Sequence, residues 1–250
     1  MYINDTYIGV YLLAAIIGLA VGQLADWINE RLPENKKVFS REIFRRYKIE
    51  FKPNYILMLI TATIYVGLVY KFGIKETLIG NMSLIKYIIL TPMLLSAFVI
   101  DYKKQIIPNR LNLTIFEIGI VIAFLYGFSN VAITIDMLFG MIAGGGIFLL
   151  LMLIGKLIYG KQGMGLGDVK LMAAIGLYFG LSNITIISII AFIIGAIWAG
   201  ILILFRKKKN DEYMPFGPFI VIAAFISIFV PFEVLLNIIM SILTLGIYKK

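Results

Sequence analysis

Apolar residues run along this chain in long unbroken stretches, each closed by a short polar or basic segment, with no alternation of polar and apolar faces inside the stretches. Runs of this kind mark helices that are apolar all round. Crossing the hydrocarbon takes about 20 helical residues, and fewer where an end is buried against other helices. On that measure the runs predict spans near residues 7–28, 55–70, 84–100, 111–128, 131–158, 171–182, 184–205 and 216–234, with 235–248 either a ninth span or an interfacial helix. The sixth is short. The expected fold class is all-α, a polytopic membrane bundle of about eight helices, or nine if the last run crosses. Gly144-Gly145-Gly146, Gly195 and Gly200 fall inside these runs, where glycine lets membrane helices approach closely.

Composition agrees with a bilayer as solvent. Apolar side chains make up 61% of the 250 residues and charged ones 15%, whereas a soluble domain is about a quarter charged. The first run ends in GQLADWINERLP, with no basic segment before it and no small-residue cleavage site, so it is expected to be a retained span and not a removed signal peptide. The formal charge of +9 sits in short clusters between apolar runs, which argues for topology signals and against a nucleic-acid surface. With the N-terminus outside and nine spans, all of the 23 basic residues except Lys71, Lys75 and Lys86 fall on the cytoplasmic side. With eight spans Lys249 and Lys250 also move outside, and the orientation is the same. The RKKKN run at 206–210 reads as such an anchor, drawn also to anionic lipid. The largest extramembrane piece, about residues 29–53, is too small to bury a core of its own.

Cysteine and histidine are both absent, so thiolate metal sites, disulfides and imidazole acid–base chemistry are excluded. Carboxylates at membrane depth are costly and each needs a reason. Asp101 closes the third run in LLSAFVIDYKKQIIPNRLNL, and Asp168 lies in GMGLGDVKLMAAIG before a short apolar run. Taken singly, Asp101 reads as a helix-end residue and Asp168 as a helix cap. Taken together, the topology puts both at the cytoplasmic side. Two opposed carboxyls sharing one proton leave one as an acid and the other, ionised, to activate water against a peptide carbonyl. Glycines beside Asp168 let an extended peptide approach. A phosphate loop is the competing use of such glycines, but Lys170 follows Gly167-Asp168-Val169 without the Gly-Lys-Ser/Thr spacing. Asp136 and Glu233 are expected near the outer interface without a functional role, and Glu117 beside a polar cavity.

Four stretches resemble the type 4 prepilin peptidases. GMGLGDVKLMAAIG is similar to their GxGD signature, and VIDYKKQIIPNRLNL to their second aspartate motif, with Pro108 seven residues after Asp101. GQLADWINERLP resembles the end of the family's first helix through Gly22, Arg31, Leu32 and Pro33, and YMPFGPFIVIAAF its late Pro-Phe-Gly-Pro-Phe stretch. GxGD alone is shared with presenilin-like proteases, but all four occur here in the family's order. The resemblance implies a bacterial inner-membrane aspartyl endopeptidase that cuts prepilins at the cytoplasmic face, after the glycine ending a short basic leader. Asp101 and Asp168 match the catalytic pair, Gly165 and Gly167 the signature glycines, and Lys170, Pro215 and Gly217 further motif positions. It also implies two parts: residues 1–54, a first helix with a reduced, cysteine-free loop, and residues 55–250, the membrane-embedded peptidase domain. Proteolysis then needs no cofactor. S-adenosylmethionine is implied only if the family's N-methyltransferase activity is retained, and the cysteine-free loop holds no zinc. Gln23 and Asp26 depart from the family's usual Ser and Asn, and Asp26 is expected to make a structural polar contact. The implied partners are a prepilin, membrane lipid and, as an open case, a second copy of the chain; nucleic acid is not one. Two alternatives stand beside this reading: a GxGD protease for other membrane peptides, and a transporter or channel in which Asp101 and Asp168 bind an ion or relay protons.

Overall fold

A computed structural model describes residues 2–4, 6–34, 53–160, 164–205 and 215–244. The basic loop after the first helix, the RKKKN run and the last six residues lie outside these. The protein is an all-α, multi-pass membrane protein. Six described helices are long and apolar enough to cross a membrane. The last of them contains an internal break, and two shorter apolar helices follow, Gly217–Phe229 and Phe232–Leu243, where eight or nine spans are expected. The chain separates into two compact units, residues 1–111 and 112–250.

The first unit starts with a minimal hairpin, β1 (Tyr2–Ile3) antiparallel to β2 (Thr6–Tyr7). Helix α1 (Ile8–Arg31) follows and runs into a single 3-10 turn, Leu32–Glu34. It packs on α2 (Tyr55–Phe72) through glycines. A Cβ on Gly18 would meet the Ala62 Cα at 2.5 Å, and one on Gly22 the Met58 Cα at 2.7 Å, so only glycine permits this crossing. Asn54 caps α2, its side chain accepting from Leu57 N at 3.2 Å. Its own backbone N–H donates to Gln23 Oε1 at 3.0 Å and its amide to Asp26 Oδ1 at 2.7 Å. Gln23 and Asp26 thus pin the start of α2 to α1, a structural use for both.

Helix α3 (Leu78–Lys104) contains Pro92. A proline leaves the carbonyl four residues earlier without its helical donor, and here that carbonyl, Ile88 O, accepts from the buried Tyr65 hydroxyl at 3.0 Å. The helix ends on Gln105, in the left-handed conformation with φ 54°, whose N–H donates to Asp101 O at 2.8 Å.

The second unit holds most of α4 (Asn109–Gly127), then α5 (Val131–Tyr159), α6 (Leu166–Leu204), α7 (Gly217–Phe229) and α8 (Phe232–Leu243). The expected spans 171–182 and 184–205 are one assigned helix, broken at Gly180, where φ is 73° and ψ 176°. Its first half begins at Leu166, five residues earlier than the apolar run, because the polar Gly167-Asp168 step is already helical. Gly140 and Gly144 of α5 lie against the Gly176 and Met172 backbone of α6, so close that any side chain would collide. The break leaves Leu181 N–H without a helical acceptor, and the Asp136 carboxylate takes it at 3.1 Å.

Phe216 precedes α7 and fits among Phe148, Phe192 and Phe219, with ring centroids 5.1–5.8 Å away. Pro218 stands in the first turn of α7, where its missing N–H costs nothing. Pro231 divides the expected late spans sooner than the apolar pattern suggests, giving α7 and α8 of 13 and 12 residues. Helix α8 is too short to span, and rests Leu235 and Ile239 on Ile186.

Candidate active site

Asp101 and Asp168 belong to different units, and each is placed by its own. Asp101 occupies the last turn of α3 and is 2% exposed, while Tyr102, Lys103 and Lys104 beside it are exposed. One carboxylate in a polar helix end has therefore been turned inward, between the buried Ile100 and Ile107 in sequence. Two contacts hold this end. Gln105 caps the Asp101 carbonyl, and Lys104 Nζ lies 4.0 Å from Glu34 Oε1 on the 3-10 turn after α1. An interfacial helix-end residue would face water with its neighbours, so burial sets Asp101 apart from that plain reading.

Asp168 stands in the first turn of α6 and is 3% exposed. It is not the cap, since the helix already begins at Leu166; its N–H reaches back to Gly165 O at 3.1 Å. Gly167 has helical dihedrals, so it does not serve a left-handed turn. Lys170 is exposed in the next positions of the same helix, while Val169 and Leu171 are buried. Pro215 and Gly217 lead into α7 around the Phe216 anchor.

Asp101 and Asp168 are the two carboxylates buried among the described residues. Asp136 and Glu233 are exposed, as is Glu117. No described group of three acidic side chains gathers as a metal-ligand set.

Sequence reasoning missed Asn112. It lies in the first turns of α4, is 4% exposed, and donates from Nδ2 to Gly167 O at 3.0 Å. A polar amide among the apolar residues Leu111, Leu113 and Ile115 was the available signal. Below it Tyr178 of α6 donates its hydroxyl to Ile115 O at 2.9 Å, a second tie between α4 and the helix that carries Asp168.

Comparison with known proteins adds three findings. Residues 88–200 match the type IV leader peptidase family, a stretch that contains both aspartates. A prepilin leader peptidase/N-methyltransferase of Aeromonas hydrophila is 31% identical over 156 residues, covering 62% of this chain and 53% of that protein. Proteins of the same name from Stutzerimonas stutzeri and Legionella pneumophila are 29% and 34% identical, over 56% and 55% of this chain and 48% and 47% of theirs. The chain thus spans about half the length of the curated relatives it matches. No solved structure matches it.

Proposed function

We propose that this chain, whose residues 88–200 match the type IV leader peptidase family, is a membrane aspartyl endopeptidase acting on prepilins or prepilin-like proteins. It removes their short basic leader after the leader's terminal glycine, at the cytoplasmic face of the bacterial inner membrane. The observation that carries this reading is the burial of Asp101 and Asp168, alone among the described carboxylates, within the matched stretch. Burying an ionisable group in a membrane protein is costly and is tolerated where chemistry uses it.

This mechanism requires the two carboxyls to share a proton. The ionised member takes a proton from water as it attacks the carbonyl of the terminal leader glycine, while the protonated member donates to the carbonyl oxygen. The proton taken from water then passes to the leaving amine, and the second carboxyl recovers its proton from the tetrahedral intermediate as the carbonyl re-forms. Direct sharing of the proton requires the carboxyl oxygens to approach to about 3 Å. The space at Gly165 and Gly167 admits the extended peptide beside Asp168, and Lys170, Pro215 and Gly217 support the surrounding backbone. Exposed apolar side chains on the long helices are covered by lipid. Proteolysis by two carboxyls needs no cofactor. S-adenosylmethionine would enter only through methylation of the new amine, an activity named for the relatives.

Co-expression with a prepilin, followed by mass spectrometry of its N-terminus, tests the reading. The expected product begins immediately after the leader glycine, and its mass also reports any added methyl group. An uncut prepilin in the presence of folded, membrane-inserted protein would overturn it.

A further inference from the structure

The amide of Asn112 is half used. Its Nδ2 donates to Gly167 O, the carbonyl of the peptide unit that leads into Asp168, but its Oδ1 is buried and has no hydrogen-bond partner among the described residues. The orientation is chemically determined. Turning the amide over would set Oδ1 against another acceptor, so the nitrogen must face Gly167. Both polar atoms hang on one carbon, which places the free acceptor beside the glycine carbonyl and one residue from the buried carboxylate.

A buried carbonyl oxygen left without a donor carries an uncompensated desolvation cost. Such a cost is retained where a ligand supplies the missing donor. An extended peptide lying along Gly165–Gly167 offers main-chain N–H groups at its edge, and these recur whatever its side chains, as in strand addition. We propose that Asn112 is a substrate-binding residue, its Oδ1 accepting one main-chain N–H of the prepilin segment next to the scissile bond while its Nδ2 steadies the backbone that carries Asp168. This rests on the peptidase reading above and adds to it one specific contact.

Ester substitution isolates that contact, because an ester replaces a peptide N–H with an oxygen that cannot donate. The substrates are one prepilin segment made with all amides and a set with a single ester at each bond flanking the scissile one. Wild-type protein should lose about tenfold in kcat/KM at one ester position, the worth of a hydrogen bond to a buried acceptor. Asn112→Leu, of similar size but without polar atoms, should cleave the amide substrate about tenfold more slowly, chiefly through KM. It should treat the amide and that ester alike within about twofold. Melting temperature recorded on the same samples separates this from a purely structural role, which would lower stability and slow all substrates equally. Asn112→Ala serves the same comparison should leucine prevent folding. If wild type cuts the prepilin but no ester penalty disappears in the variants, Asn112 does not bind substrate, and a resident water or internal contact holds its oxygen. If wild type cuts no prepilin, the peptidase reading fails first and this inference with it.

Discussion

At the scale of single residues, the recurring device is a polar side chain that satisfies a backbone group the sequence has left open. Pro92 strips Ile88 O of its helical donor, and Tyr65 supplies another from α2. Water is absent at membrane depth, so that hydroxyl has no substitute. Tyr65→Phe keeps the ring and removes one donor, and is expected to cost about 1–3 kcal/mol, read as a lower midpoint in detergent unfolding with cleavage by the folded fraction unchanged. For the two aspartates the proposed reason for burial is chemistry. Asp101→Asn and Asp168→Asn preserve shape and remove the ionisable carboxyl, so each should abolish leader release by itself, and the double variant should be no worse. Groups acting as a unit show that non-additivity. Substantial activity in either folded single variant would mean that the pair is not the catalytic one.

Between elements, glycine decides where helices meet. The Gly140/Gly144 face of α5 and the Gly176/Gly180 face of α6 bring two backbones into contact, and Gly180 then ends the first half of α6 by adopting a conformation open to glycine. Asp136, expected to be an idle interfacial acid, has work at this break. It caps the second half of α6 from the facing helix, in the way an N-cap side chain does from within. Asp136→Ala should therefore destabilise the protein by about 0.5–2 kcal/mol. Asp136→Asn, which keeps the accepting oxygen, should lose little. Equal losses in thermal unfolding of the two variants would show that the charge matters and not the cap.

For the whole molecule, the open quantity is which side of the membrane each loop occupies. Basic residues concentrate in the segments proposed to be cytoplasmic, and the natural chain has no cysteine, so single cysteines report without background. Ser129, exposed in the turn between α4 and α5, is predicted to be outside, and Lys104, exposed at the end of α3, inside. A membrane-impermeant maleimide added to spheroplasts should label Ser129→Cys directly and Lys104→Cys only after permeabilisation. The reverse pattern would put the Asp101 end of α3 on the outer face and remove the cytoplasmic site.

The sequence by itself determined the helical class, the places of the long spans and the two aspartates worth following, because bilayer thickness and the cost of intramembrane charge act on local composition. The motifs that carry the family resemblance are likewise contiguous strings, readable without coordinates. Tertiary structure alone decided the break at Gly180, the duty of Asp136, the donor that Tyr65 brings to Ile88 and the hold of Asn112 on Gly167. Each is a hydrogen bond or backbone contact between residues 23 to 55 positions apart, or a break whose partner lies that far away. Apolar periodicity says that a helix is buried, but all faces of these helices are apolar. Which face meets which neighbour, and which carbonyl then lacks a donor, follows only once the helices have packed.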